Sequence, residues 1–353
     1  MSGPLLVVGS MGSGTTLIRL MLDSHPDIMI AQETGFLRSV NAQYFSPFWL
    51  FGDRFANGMG LSAEQFDAHV RTFYDAVFSE AARLQGAKIW GDKTPFHVHL
   101  MPLAARVFPE ARFLATMRHP GAVVVSMRRF GWSASQAISH WLRIQQALAD
   151  QAAALGDRIC FARYEDLVSQ PEQVMTEVLR SLDLPWDDAV LRHNEIQAGS
   201  RFEGGTRGDR AVDRTRIGAW VDELPENQAR ELDDRAGAAA RPWGYDIRSA
   251  LPVEPLVPLS ERLSAPGSTV ASHQRTFTDI PRIDVPQSFE NGPLTPEAMA
   301  AELAQAWSAG THMRQIRFPY RKYAETESGV APPDRSFIAR VRRRLARMIH
   351  PEW

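Results

Sequence analysis

The chain opens with a continuous apolar run at residues 5–8 that ends on Gly9, the pattern of a strand buried on both faces of a parallel sheet. Behind a glycine-rich stretch, Leu17, Leu20 and Met21 fall on one helical face, and Pro26 stops that helix. Further strands are predicted at 28–31, 88–90, 111–117 and 158–163. Helices are predicted at 64–84, 95–108, 121–129 and 141–155, the first with an apolar stripe of Phe66, Val70, Phe73 and Val77. Strands alternating with helices predict βαβ units, and so an α/β fold with a mostly parallel sheet flanked by helices. In such sheets ligands sit beyond the carboxyl ends of the strands, and the segments richest in polar chemistry all follow predicted strands.

The pattern changes at about residue 251. Prolines at 252, 255, 258, 266, 281, 286 and 293 break up any long element, which predicts an extended, wrapping segment. Helices are predicted again at 295–308 and 336–349, the latter basic and amphipathic through Arg340, Arg342, Arg343, Arg344 and Arg347. The expected organisation is therefore a core at 1–250 and a C-terminal extension, Pro-rich and helical, at 251–353. Dimerisation through that extension is left open.

Composition narrows the choice of partners. The 39 basic and 41 acidic residues give a formal charge of −2, so nothing global points to nucleic acid or an anionic surface. Any anion site must be built locally. Cys160 is the single cysteine, which rules out an intramolecular disulfide. The first residues carry no basic leader, and no run approaches the roughly 18 apolar residues of a span. The expectation is a cytoplasmic protein without a membrane span.

Residues 9–16, Gly-Ser-Met-Gly-Ser-Gly-Thr-Thr, lie between the first strand and the first helix. Glycines let the backbone curl so that amides point at an anion, and the helix adds the positive end of its dipole, about half a charge. Met11, Gly12, Ser13, Gly14, Thr15 and Thr16 are the candidate anion contacts, with hydroxyls of Ser13, Thr15 and Thr16 as further donors. The spacing is close to the G-x-x-x-x-G-K-[ST] loop of nucleoside triphosphatases, but Thr15 stands at the lysine position. That removes the group that reaches the β- and γ-phosphates and weakens any magnesium-dependent phosphoryl-transfer reading.

The stretch from Gly9 to Asp27 resembles the 5′-phosphosulfate loop of sulfotransferases that use 3′-phosphoadenosine 5′-phosphosulfate (PAPS), most closely that of the tyrosylprotein sulfotransferase-like branch. Gly12 stands where family members usually carry Arg or Lys. The segment from Phe113 to Met127 is similar to the family's 3′-phosphate site, with Arg118 and Ser126 at the matching positions. Arg163-Tyr164-Glu165-Asp166-Leu167 resembles a segment whose tyrosine lies near the nucleotide, and 214–220 resembles one that closes over its phosphates, implicating Arg216 and Gly218. The usual basic residue before Trp220 is Ala219 here, and Arg207, Arg210, Arg214 and Arg216 are candidates to replace it. The resemblance covers about 5–220 and implies a P-loop-type sheet.

It also implies the reaction. Sulfuryl transfer needs a base, cations for the transferring group and in-line placement, but no metal. Glu33 matches the family's catalytic glutamate, and Lys93, in Gly-Asp-Lys-Thr-Pro, matches the lysine that stabilises charge on the sulfuryl and leaving group. His97 and His99 are runner-up bases; at i, i+2 they face apart on a helix and share no metal. The expectation is sulfuryl transfer from PAPS to a hydroxyl of a small-molecule acceptor. A degenerate P-loop nucleotide kinase and a non-catalytic nucleotide-binding protein are the alternatives.

Overall fold

The computed structural model describes residues 3–45, 60–197 and 210–254. Beyond Glu254 the C-terminal extension, with its two expected helices and any part in dimerisation, lies outside the described residues, as does Arg207.

Five strands build one sheet in the order β2-β3-β1-β4-β5: β1 (Leu5–Gly9), β2 (Ile28–Gln32), β3 (Ile89–Lys93), β4 (Arg112–Met117) and β5 (Ile159–Arg163). Every pairing is parallel. Alternate residues of β1 feed opposite faces. Leu5 and Val7 pack with Ile18, Met21 and Leu22 of α1 (Thr15–Asp23) and with Met175 and Leu179 of the helix Pro171–Ser181. Leu6 and Val8 pack toward the helices Pro120–Arg128 and Ala134–Leu155 through Val123, Val124, Ile138 and Trp141. Burial on both faces explains why β1 reads as an unbroken apolar run.

Register places the chemistry. Gln32 pairs with Lys93, Gly9 with Thr116 and Met117 with Arg163, so all five strands end along one edge. The residues that follow, from Ser10, Glu33, Thr94, Arg118 and Tyr164 onward, emerge along that edge. β3 runs to Lys93, three residues past the predicted end, because buried Gly91 and Asp92 continue the ladder without being apolar.

The helices depart from expectation in their bounds and in one buried face. The first long helix, Ala63–Leu84, buries Val70, Phe78 and Ala82, while Phe73 and Val77 of the expected stripe are 62% and 52% exposed. Phe78 stacks on Trp90 of β3 at 4.5 Å and 12°, a geometry worth about 0.5–1.5 kcal/mol beyond area burial. The expected helix at 95–108 is two pieces, a 3₁₀ turn Pro95–Leu100 and a helix Met101–Val107. Pro102 requires the break, since inside a continuous helix it would lose a hydrogen bond and clash with the carbonyl four residues back. The helix Ala134–Leu155 starts seven residues before the expected Trp141, on a capping box of Ser133 and Gln136. A further helix, Phe36–Phe45, was not anticipated.

Candidate active site

The loop after β1 is shaped by three glycines. Gly9, Gly12 and Gly14 have φ of 152°, 79° and 93°. A Cβ on Gly12 would lie 2.7 Å from Ser126 Oγ, and one on Gly14 would lie 2.6 Å from the Tyr164 ring. Gly14 is the N-cap of α1 and offers no side-chain cap, so the first-turn amides keep an anion-binding geometry. Ser13 does not contribute a free hydroxyl as expected. It donates to Ser10 O at 2.6 Å and pairs with Thr116 Oγ1 at 2.7 Å, which pins the loop to β4. Thr15 is buried at the lysine position of a triphosphatase loop, which sets the kinase alternative aside.

Arg118, just past β4, comes to the same place. Its Nη1 donates to Gly12 O at 2.9 Å, and its guanidinium lies over the Tyr164 ring at 4.0 Å. Trp141 Nε1 holds the Arg118 carbonyl at 3.2 Å. Burial lowers the Arg118 pKa, with Tyr164 and Glu165 opposing the shift and Arg216 adding to it. Its Nε is buried without a partner among the described residues, a donor prepared for an anion. Arg118, Ser126, Arg216, Ala219 and Trp220 line one small cavity. Arg214 turns away and donates to Val168 O and Ser169 O at 3.1 and 2.6 Å, and Gly218 makes a turn with φ of 74° against Ala250. The glycine cradle and the Arg118 cavity present hydrogen-bond donors at two neighbouring places along the strand-end edge.

Behind this wall runs a buried polar chain that the sequence did not flag. Glu165 accepts from His119 N at 2.9 Å and from Tyr245 Oη at 2.8 Å, and burial pushes its pKa up. His119 stacks on Trp220 at 4.3 Å, with its pKa lowered by burial to about 4. Asp166 instead pairs with Arg163, Oδ2 lying 2.7 Å from Nε.

At the other end of the edge, Lys93 Nζ donates to Glu33 Oε1, the lysine side chain 1% and the glutamate 34% exposed. Glu33 N donates to Lys93 O at 2.9 Å, and Glu33 adopts φ of 44°, a left-handed conformation uncommon outside glycine. Asp92, fully buried, fixes this turn. It accepts from Thr34 N at 3.1 Å, Thr34 Oγ1 at 2.6 Å and Thr94 Oγ1 at 2.7 Å. His97 is buried, its Nδ1 3.1 Å from Asp92 Oδ1 and its ring edge-on to Phe36, so it supports the turn rather than facing a substrate. His99 forms no part of the pair.

A residue that sequence reasoning missed is His140, whose Nε2 accepts from Met11 N at 3.4 Å. Burial, with Arg143 and His99 nearby, lowers its pKa to about 3, so it is a neutral acceptor inside the loop wall. Only the fold brings it 129 positions back along the chain to Met11. Among the described residues no cluster of acidic, histidine or cysteine side chains could hold a metal ion, and no helix is long and apolar enough to cross a membrane.

Comparison with known proteins fits this geometry. Residues 4–188 match the model of the sulfotransferase family. Protein-tyrosine sulfotransferase 1 of Danio rerio is 29% identical over 262 residues, 69% of this chain and 72% of that protein. Protein-tyrosine sulfotransferase 1 of Mus musculus is 30% identical over 265 residues, 69% of this chain and 70% of that one. A solved sulfotransferase domain from the Synechococcus PCC 7002 olefin synthase is 22% identical, with a TM-score of 0.47 over 66% of this chain and 95% of that one. These relatives overturn the cytoplasmic expectation. The matching relatives are protein-tyrosine sulfotransferases, and the lack of a leader or span in the sequence does not place a protein in the cytoplasm. The relatives also lend no support to a small-molecule acceptor. With the family model matched over 4–188 of its 353 residues and a 30% identical relative spanning 69% of it, the chain belongs to the sulfotransferase family and is a PAPS-dependent sulfotransferase.

Proposed function

We propose that the enzyme transfers the sulfuryl group of PAPS to the phenolic hydroxyl of a tyrosine in a polypeptide, with Glu33 as base and Lys93 as charge stabiliser. The observation that carries this reading is the Lys93–Glu33 ion pair at the strand-end edge shared with the phosphate loop. The protein-tyrosine acceptor is taken from the named relatives.

In this reading the loop from Gly9 to Thr16 holds the 5′ end of PAPS, and Arg118, Ser126 and Arg216 hold its 3′-phosphate, with Tyr164 and Gly218 beside them. The acceptor oxygen gives its proton to Glu33 and attacks sulfur. The bond from sulfur to the 5′-phosphate oxygen breaks, and the electron pair leaves with 3′,5′-diphosphoadenosine (PAP). Lys93 has two tasks: before the reaction its ammonium holds the Glu33 carboxylate by a hydrogen bond, and during it the same ammonium beside the leaving oxygen neutralises the growing negative charge. Because Gly12 brings no cation, Lys93 carries that neutralisation from the sheet rather than from the loop.

The test is sulfate transfer from labelled PAPS to a tyrosine peptide and its phenylalanine counterpart, by wild type and Glu33→Gln. The variant should lose about 10²–10⁴-fold in kcat while calorimetric PAP affinity is retained. Full activity in Glu33→Gln rejects the base assignment. Transfer to small phenols or alcohols but to no tyrosine peptide rejects the acceptor class.

A further inference from the structure

Phe96 is a large apolar side chain left 41% exposed in the turn that follows the strand ending on Lys93. It stands three residues after Lys93, in the 3₁₀ turn Pro95–Leu100, whose Pro95, His97 and Val98 are all buried. Its ring lies 5.7 Å from that of His140 at 59°. The His140 ring also lies 5.5 Å from that of Trp132, at 60°. Because His140 also accepts the Met11 amide, this aromatic row joins the turn after Lys93 to the wall of the phosphate loop. Leaving a phenyl face in water forgoes about 25 cal/mol per Å² of burial, so an exposed ring in the turn after Lys93 suits a visitor with a flat apolar body and a polar tip. A tyrosine side chain has that shape; an aliphatic alcohol does not.

We infer that the exposed face of Phe96, backed by His140 and Trp132, is the platform on which the acceptor's aromatic ring packs while its hydroxyl reaches Glu33. The inference rests on the tyrosine-acceptor reading and adds a residue that sets acceptor specificity. Phe96 itself takes no part in proton or sulfuryl transfer.

The experiment measures KM and kcat for a tyrosine peptide, and calorimetric binding of that peptide to the PAP complex, in wild type, Phe96→Ala and Phe96→Trp. An aromatic contact of ordinary strength predicts that Phe96→Ala raises KM and weakens peptide binding about twofold to tenfold. In the same variant PAP affinity stays unchanged, and Phe96→Trp restores the peptide. Equal KM in wild type and Phe96→Ala overturns the platform while leaving the tyrosine reading intact. A parallel loss of PAP affinity also overturns it, because the side chain would then support the nucleotide loop. If wild type neither binds nor sulfates a tyrosine peptide, the tyrosine reading and the platform fall together, which separates the two failures.

Discussion

Arg118 Nη1 donates to the carbonyl of Gly12 at 2.9 Å, which joins the residue proposed for the 3′-phosphate to the backbone of the loop proposed for the 5′ end. The two anchors are therefore one structure. Arg118→Lys keeps a charge but loses the planar fork and the bond to the loop. PAP affinity should fall about 10–100-fold, the worth of a charge-assisted hydrogen bond. Because the loop loses its tether, adenosine 5′-phosphosulfate, which has no 3′-phosphate, should also bind more weakly, though by less. Unchanged affinity for that shorter ligand in titration calorimetry would show the anchors to be independent.

Restoring the basic residue that relatives usually carry before Ser13 should harm this enzyme. A side chain at Gly12 must adopt φ of 79° and place its Cβ 2.7 Å from Ser126 Oγ. Gly12→Arg is thus expected to lower both the melting temperature and PAP affinity, whatever charge it adds. A gain in kcat from this variant would show that the loop adapts and that the missing cation limits the rate.

Asp92 is expected to govern the rate through position alone. It accepts three hydrogen bonds from Thr34 and Thr94 and so holds Glu33 against Lys93. Asp92→Asn turns an NH₂ toward donors and should cost about 1–3 kcal/mol of stability. Peptide kcat should drop about tenfold or more through misplacement of the base, with PAP affinity retained. Loss of PAP affinity to the same degree as kcat would count against a positioning role.

Stability should fall on the acid side for a reason that can be assigned to single residues. Burial lowers His119 to about 4 and His140 to about 3 from 6.5. Below pH 6.5 the unfolded chain binds protons that these folded imidazoles refuse. The stability they contribute is complete above that pH and is lost as pH falls toward the folded values, by up to about 1.4 kcal/mol per pH unit per histidine. Buried Glu165, with a raised pKa, works in the opposite direction. Urea unfolding at pH 7.5 and 5 should show a shallower pH dependence in His140→Gln than in wild type. Identical slopes would mean that His140 is charged in the folded protein.

How much of this was readable beforehand depends on whether the signal was local. The strands β1, β2, β4 and β5 and the loop from Gly9 to Thr16 were legible because apolar runs and glycine spacing are written in adjacent residues. The end of β3 was not, since Gly91 and Asp92 look like a turn until β1 and β2 pair with them. The buried face of the helix Ala63–Leu84 differs from the expected stripe because Phe66, Val70, Tyr74, Phe78 and Ala82, spaced every four residues, face the core, while the step of three to Phe73 leads the expected stripe round to solvent. Glu33 and Lys93 were named from family likeness, but their ion pair, the Asp92 clamp and the His140 contact arise only when distant strand ends meet. The commitment of the Ser13 hydroxyl to Thr116 was hidden in the same way.

The uncapped start of α1 has one more consequence. Gly14 leaves the first-turn amides of that helix without a side-chain partner from its own cap. In the proposed mode of binding, the 5′ end of the nucleotide caps those amides in place of a side chain. If the donor binds there as proposed, a saturating concentration is expected to stabilise the fold by mass action, about 2.7 kcal/mol at a hundred times its Kd.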